Sequence, residues 1–201
     1  MVNNIFWLGH SSVRIDGEKV IYIDPWKLKD VKEADIILVS HSHHDHLSVE
    51  DIKKIQKNDT IIITTPDCTD GLTGDIRVVK PGDVVQIGEI SVEAVPSYNV
   101  DKAFHPKENN WLGFVVTVGG KRIYYCGDTD LIPEMESIEA DIMLVPVGGT
   151  YTMTAEEAAR AVNMIKPKIA IPIHYDDIVG TEDDAKRFKG LCEVPVDIKH
   201  A

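Results

Sequence analysis

Four histidines and one aspartate fall within six consecutive positions, the segment HSHHDH at residues 41–46. His41 and His43 are two positions apart, so an extended backbone directs both imidazoles to the same side, where they can bind one ion. Asp45 and His46 follow where the chain turns toward a predicted helix, and they therefore point in another direction. This one short loop predicts ligands for two adjacent metal ions.

Six residues cannot supply all the ligands of two metal sites, so the other ligands must come from distant parts of the chain. Asp128 follows the strand-like run RIYYC and a glycine, and His174 ends the run KIAIPI. His105 lies in the long loop 97–110, and loops of that length inside a compact domain are often functional. His44 belongs to the cluster but is predicted to point away from the first histidine pair.

The elements that would position these residues are mostly strands. The runs NIFWL, SVRI, KVIYID, DIILVS, TIIITT, EISVEAV and LGFVVTV have the composition of strands. The glycine pair at 119–120 joins LGFVVTV to RIYYC and predicts a hairpin. DIMLVPV and KIAIPI are predicted to be buried strands on either side of a helix, and VPVDI a short last strand. Strands that end in His or Asp in both halves of the chain suggest a sandwich with its site along one edge.

Helix starts are predicted by two capping-box patterns. Ser48 followed by Asp51 precedes a segment with helical spacing of apolar residues, and Thr154 followed by Glu157 precedes the second. The segment TEDDAKRFK predicts a final helix.

Size and composition limit the class of protein. A chain of 201 residues with 43% hydrophobic content predicts one soluble globular domain, residues 1–201. No apolar run approaches the roughly 20 residues that cross a bilayer, and the start MVNNIFWLGH lacks the layout of a signal peptide. Three scattered cysteines form neither a disulfide framework nor a thiolate cluster, which favours the reducing cytoplasm.

The net charge of −12 leaves no basic surface for a nucleic-acid backbone, so nucleic acid is not an expected partner. The short apolar runs give no reason to expect a membrane partner. A small-molecule substrate is expected, and it can be anionic because bound metals would dominate the field in their own pocket. The oligomeric state is open.

At this point the sequence resembles a known family. HSHHDH matches the His-x-His-x-Asp-His signature of the metallo-β-lactamase superfamily, and GDTD and PIHY resemble its later metal-binding motifs. WLGHSS, the IDP at 23–25 and PVGGTYTM resemble the small stand-alone hydrolase branch that includes the ascorbate-6-phosphate lactonase. The resemblance covers nearly the whole chain. It implies an α/β fold, a single-domain four-layer αβ/βα sandwich with the metals at one edge.

The resemblance also implies a ligand set. Metal one would be held by His41, His43 and a third histidine. Metal two would be held by Asp45, His46 and His174. The carboxylate of Asp128 would bridge the two metals. In many relatives the third histidine directly follows the strand equivalent to EISVEAVP, where this chain has SYN. Asn99 in that position is a poor zinc ligand, so His105 is the preferred third histidine and Asn99 the alternative.

Other candidates have two interpretations each. His10 is either a hydrogen-bonded structural histidine or a residue near the metals that contacts substrate. Asp24 either caps a turn or is a carboxylate that holds a ligand imidazole. For Cys126, ordinary core filling is favoured over a role in the site.

Histidine and carboxylate ligands without thiolates favour two divalent ions, foremost Zn²⁺, with Mn²⁺, Fe²⁺ or Ni²⁺ as alternatives. The di-iron oxygen-chemistry branch of the family tends to carry glutamate where His43 stands here, which favours hydrolysis. Two ions would bridge a hydroxide and hold it against an electrophile. Asp45 would orient that hydroxide, and His10 is the candidate acid for the leaving group.

We therefore expect a metal-dependent hydrolase of a small ester-like substrate, either a phosphodiester or a lactone. The alternatives are a thioester or β-lactam hydrolase and, from another class, a non-catalytic metal-binding protein. An RNA nuclease is disfavoured by the negative charge.

Overall fold

The structure, a computed structural model, describes residues 2–29 and 31–201. Their packing divides into two compact units. The first runs to Val79 and includes His200–Ala201, and the second is Lys80–Lys199.

The first unit is built on a six-stranded sheet in which neighbours in space are neighbours in sequence. Its strands are β1 (Ile5–Gly9), β2 (Ser12–Ile15), β3 (Ile21–Ile23), β4 (Ala34–Leu38), β5 (Gln56–Thr64) and β6 (Asp75–Val78). β1, β2 and β3 are antiparallel, whereas β3 to β6 run parallel. The HSHHDH loop follows β4, one of the parallel strands.

Helix α1 (Val49–Ile55) follows the loop and fixes its far end. The Ser48 hydroxyl accepts a hydrogen bond from the Asp51 N–H, as predicted for this helix start. Ile52 and Ile55, three positions apart, lie on one face of the helix and are fully buried against the apolar face of the sheet. The loop is therefore held between a buried strand and a packed helix.

The second unit contains the other six-stranded sheet, with spatial order β12-β11-β10-β9-β8-β7. Its strands are β7 (Val84–Ile87), β8 (Ile90–Pro96), β9 (Leu112–Val118), β10 (Lys121–Tyr125), β11 (Ile142–Pro146) and β12 (Ile169–Ile173). β7 to β10 are antiparallel, and β10, β11 and β12 run parallel. The predicted hairpin is confirmed, since Lys121 pairs with Val118 across the glycine turn.

Two helices complete the second unit. α2 (Ala155–Ile165) connects β11 to β12 and begins with the predicted Thr154 capping box. Its buried face is lined by alanines, which allow close packing. α3 (Glu182–Leu191) has its own capping box at Thr181 and buries Phe188.

One strand prediction is wrong. VPVDI forms no strand, and only Val196 makes an isolated bridge, with Ala170. In this bridge the Ala170 N–H donates to the Pro195 carbonyl oxygen at 3.0 Å, and the Asp197 N–H donates to the Ala170 carbonyl oxygen at 2.9 Å. Pro195 has no N–H to donate, so a regular ladder cannot extend through it. Within the ranges described above, no helix is long and apolar enough to span a membrane.

Candidate metal centre

In the first unit one buried carboxylate, that of Asp24, directly follows β3 and holds His46. This carboxylate accepts hydrogen bonds from the Ser40 N–H at 2.7 Å and the Ser40 hydroxyl at 2.5 Å. The His46 Nδ1 lies 2.7 Å from the same group. A carboxylate only accepts, so His46 donates from Nδ1 and its Nε2 carries the lone pair that can bind a metal. Of the two interpretations of Asp24, the structure shows the carboxylate that holds an imidazole.

The Ser40 hydroxyl, which is held by Asp24, in turn fixes the tautomer of His41. Its single hydroxyl hydrogen is donated to Asp24, so the hydroxyl oxygen accepts from His41 Nδ1 at 2.9 Å. The lone pair of His41 therefore lies on Nε2, which is 3.1 Å from Nδ1 of His43. Two ring nitrogens at this separation converge on one side of the loop, as two ligands of one ion do. Sequence analysis missed Ser40, because a serine at a strand end carries no signal of this role.

Asp45 lies among a second group of donor atoms. His10, Asp45 and His46 each offer one ligand atom within 4.8 Å of the others. Asp45 Oδ2 is 3.0 Å from His10 Nε2 and 3.5 Å from His46 Nε2. Because that His46 nitrogen bears a lone pair, it and the carboxylate oxygen are two acceptors facing each other. A divalent cation between them would satisfy both.

Two further observations concern the surroundings of this loop. His44 is 81% exposed, and its Nδ1 lies 3.6 Å from Asp45, beyond hydrogen-bonding distance.

His10 is buried, with its ring 5.5 Å from that of Trp26. His10 and Asp24 have φ values of +48° and +46°, which non-glycine residues rarely adopt. His174 in the second unit has a positive φ as well, of +60°.

The second unit brings together three residues from distant segments. β8, β10 and β12 run in the same direction, so the segments that follow them meet at one end of the sheet. His105, Asp128 and His174 lie in these segments and are all buried. Asp128 Oδ2 is 3.2 Å from His105 Nε2 and 3.0 Å from His174 Nε2. The topology thus converts three separate positions into one compact donor set.

Glycines make the close approach of these segments feasible. A Cβ on Gly127, directly before Asp128, would lie 2.5 Å from the Leu112 carbonyl oxygen. A Cβ on Gly148 would overlap the carbonyl oxygen of His174. The glycines of GDTD and PVGGTYTM therefore leave room for the backbone next to two candidate ligands.

The loop that carries His105 is fastened at both sides. The Lys102 ammonium donates to Asp130 at 2.5 Å, and the Tyr98 hydroxyl donates to Glu134 at 2.8 Å. Lys107 donates to the other oxygen of Glu134 at 2.8 Å. This bond lowers the pKa of Glu134 and raises that of Lys107 to about 12. The loop is an ordered part of the second unit.

Asn99 is not separate from His105, although the sequence presents the two as alternatives. Its side-chain oxygen accepts from the His105 backbone N–H at 3.0 Å and lies 3.0 Å from His105 Nδ1. His105 directs Nε2 toward Asp128. Cys126, in contrast, is fully buried, and burial raises the pKa of its thiol, so it remains a neutral core residue.

The donors of each unit fit a divalent metal. Buried imidazoles and carboxylates are the ligands that zinc and related ions bind, and buried charged groups are normally paired or bound to a metal. The imidazoles of His41 and His46 are held by their Nδ1 atoms, which leaves Nε2 as the ligand atom.

Comparison with known proteins agrees with this chemistry. Residues 4–174 match the β-lactamase superfamily domain, and the chain belongs to that superfamily. A UPF0173 metal-dependent hydrolase of Thermoplasma acidophilum is 36% identical over 94% of this chain and 90% of its own length. One of Archaeoglobus fulgidus is 32% identical over 92% and 88%. The protein is therefore a metal-dependent hydrolase.

Solved structures confirm the predicted α/β fold class. A crystal structure described as a candidate metal-dependent hydrolase of Parabacteroides distasonis is 34% identical, with a TM-score of 0.88 over 97% of this chain and 91% of that one. A metallo hydrolase of Ignicoccus hospitalis shares the fold at 23% identity, with a TM-score of 0.77 over 98% and 95%.

Proposed function

We propose that the protein binds two divalent ions, foremost zinc, and that it hydrolyses a small ester-like substrate. The ligands would be those that the sequence motifs imply: His41, His43, Asp45, His46, His105, Asp128 and His174. The main support is that fixed acceptor atoms face one another in each unit, as Asp45 Oδ2 and His46 Nε2 do at 3.5 Å. The superfamily match over residues 4–174 includes segments of both units.

Divalent ions in such a site lower the pKa of bound water from 15.7 toward about 7 and polarise the electrophilic centre of the substrate. The proton that the bound water loses is then transferred by residues of the protein. Asp45 offers a carboxylate that can accept it, and His10 Nε2 lies 3.0 Å from Asp45 Oδ2. His10 can therefore receive this proton and donate it to the leaving group. His10 itself is buried, and its ring packs against that of Trp26.

The surroundings of His105 favour an uncharged substrate with an apolar substituent. Phe104, the preceding residue, is 48% exposed, and its ring contacts that of Tyr151 at 4.7 Å in an edge-to-face arrangement. The lysines of the same loop, Lys102 and Lys107, donate to Asp130 and Glu134. We call Phe104 and Tyr151 the aromatic rim. The rim offers apolar surface, and the two lysines are already paired with carboxylates and so are not available to a phosphate. We therefore propose a lactone in preference to a phosphodiester.

Two expectations from the sequence complete the proposal. We propose that residues 1–201 act as one hydrolase domain, because the family match includes parts of both units. We also propose that the protein works in the cytoplasm, where its three free cysteines would stay reduced.

Turnover by zinc-loaded and manganese-loaded protein on a small panel tests the function. The panel contains a sugar lactone, a lactone with an aromatic substituent, a chromogenic phosphodiester, a thioester and a β-lactam, with Asp128→Asn as the inactive control. We expect the lactones to be turned over and the control to be inactive. Turnover of the phosphodiester alone would contradict the lactone assignment, and no turnover by protein that holds two ions would contradict the ester-like substrate class.

The aromatic rim has its own test. Phe104→Ala should raise KM for the aromatic lactone several-fold while leaving KM for the sugar lactone nearly unchanged, because only the former loses an apolar contact. Equal changes for both substrates would remove the rim from substrate recognition.

A further inference from the structure

We propose that Asn99 is a positioning residue for metal binding, which holds the His105 imidazole in the tautomer that presents Nε2 to the ion. This inference rests on the proposed metal-binding role of His105. It assigns to Asn99 a function that differs from that of a ligand.

The contacts of the Asn99 amide fix its orientation. Its oxygen accepts from the His105 backbone N–H at 3.0 Å, and its nitrogen donates to the Tyr151 carbonyl oxygen at 2.9 Å. A backbone N–H can only donate and a carbonyl can only accept, so the amide cannot be turned by 180° without losing both bonds. The atom that faces His105 Nδ1 at 3.0 Å is therefore the amide oxygen.

An amide oxygen has no hydrogen to give, so His105 Nδ1 carries the proton and donates it. In the neutral ring the lone pair then lies on Nε2. That nitrogen is 3.2 Å from Asp128 Oδ2, which is itself 3.0 Å from His174 Nε2. The lone pair is thus directed to the place where the other donors of the second unit lie.

The backbone strengthens this arrangement. The Asn99 N–H donates to the His105 carbonyl oxygen at 2.7 Å, so the two residues are joined by main-chain and side-chain bonds together. Both residues are buried. Rotation of the imidazole would break the Nδ1 bond in a place that excludes water, which makes the orientation costly to change.

Asn99 performs without charge the task that Asp24 performs with charge for His46. Metal-bound histidines usually donate their second N–H to a carboxylate, a backbone carbonyl or water, and a carboxylate raises the basicity of the ring. An amide orients the ring with a smaller increase in basicity. A carboxylate in its place would keep an acceptor for His105 Nδ1 and so the same tautomer, but it would lose the hydrogen bond that the amide nitrogen donates to the Tyr151 carbonyl oxygen.

The experiment uses the full chain with ¹⁵N-labelled histidine and ¹¹³Cd²⁺ as the probe ion, together with the zinc dissociation constant measured by chelator competition. In wild type we expect ¹¹³Cd coupling to Nε2 of His105 and a slowly exchanging Nδ1 proton. Asn99→Leu removes the acceptor, so the Nδ1 proton should exchange rapidly and zinc affinity should fall about 10- to 100-fold. Asn99→Asp keeps the acceptor for Nδ1 but loses the hydrogen bond to the Tyr151 carbonyl oxygen, so the Nδ1 proton should be retained and zinc should bind more tightly than in Asn99→Leu.

The matched controls are Asn109→Leu and Asn109→Asp, in the same loop, where the asparagine side chain is exposed. Both should leave the zinc constant and the His105 signals unchanged. Coupling of ¹¹³Cd to Nδ1, no coupling to His105 at all, or an unchanged zinc constant in a folded Asn99→Leu variant would overturn the proposal. If Asn99→Leu does not fold, the wild-type coupling and the Asn99→Asp variant decide.

This test is separate from that of the proposed function. Wild-type protein that binds cadmium through His105 Nε2 but turns over no ester would refute the function and leave the role of Asn99 intact. Turnover of lactones together with ¹¹³Cd coupling to Nδ1 would support the function and refute the role of Asn99.

Discussion

The two units supply candidate metal-binding side chains in different ways. The first takes four of its candidates from one six-residue loop, and Asp24 and Ser40 hold two of them. The second takes three from segments separated by whole strands and helices, and they meet because β8, β10 and β12 run in the same direction. The first set is encoded locally, whereas the second is assembled by topology.

The difference shows where each set is vulnerable. Within the loop, two candidate ligands depend on one buried anchor, the Asp24 carboxylate, so damage to that anchor should affect both. In the assembled set each ligand has its own support, such as Asn99 for His105 and Gly148 for the backbone of His174. Damage to one support should therefore remove one ligand and leave the others in place.

The largest effect is expected for Asp24→Ala. The change leaves the Ser40 N–H, the Ser40 hydroxyl and His46 without their buried acceptor, which should lower the free energy of unfolding by about 3 kcal/mol. His41 and His46, which depend on Asp24, should be misoriented, and the metal content should fall. Urea denaturation and metal analysis measure the two effects.

Asp24→Asn is the matched control. Asparagine tolerates the positive φ at this position and keeps one acceptor, so its effect should be clearly smaller. An alanine variant as stable as wild type would show that the loop does not depend on a single anchor.

The next effect is the loss of one ion. His105→Ala should lower bound metal toward one ion per chain, because one arm of the assembled set is missing while the loop ligands remain. His44→Ala, which alters an exposed side chain, should leave the metal content unchanged. Metal analysis after dialysis measures both, and the opposite pattern would refute the ligand assignment.

Gly127→Ala tests how much the second unit depends on close backbone packing next to Asp128. It combines a positive φ of 68° with a Cβ only 2.5 Å from the Leu112 oxygen, so we expect a loss of about 2–3 kcal/mol. Gly88→Ala has a similar φ of 59° and open space, and should lose about 1 kcal/mol. Equal losses from the two variants, measured by urea denaturation, would mean that crowding next to Asp128 is unimportant.

The smallest effect concerns Asp51 at the start of α1. Burial raises the pKa of this carboxyl, but hydrogen bonds from Lys54, Ser48 and the Lys27 N–H outweigh it and lower the pKa overall. A lowered folded-state pKa gives stability above the unfolded value of about 3.9, and this stability is lost as the pH falls through the folded value. Asp51→Asn should therefore cost about 1 kcal/mol at pH 7 and flatten the acid limb of the stability curve.

Urea denaturation from pH 7 to pH 2 measures the Asp51 effect, with the exposed Asp70→Asn as control. An acid limb as steep as that of wild type would assign the pH dependence to other carboxyls.

Much of this arrangement was predictable from the sequence where the determining contacts are local. The start of α1 follows from Ser48 and the residues just after it, and the β9–β10 hairpin from its glycine pair. The HSHHDH loop predicts its own chemistry, because a spacing of two in extended backbone places His41 and His43 on one side. VPVDI failed because Pro195 has no N–H to donate, so the bridge between Val196 and Ala170 cannot extend into a regular ladder.

The sequence by itself therefore determined the family, the elements and the chemical types of the candidate ligands. Only the tertiary structure decided how they are oriented: that Asp24 reaches His41 through Ser40, and that Asn99 supports His105. The reason is physical. Spacing along the chain fixes contacts between near neighbours, but a contact such as that between Asp128 and His174 exists only once strand order and direction have brought distant segments together.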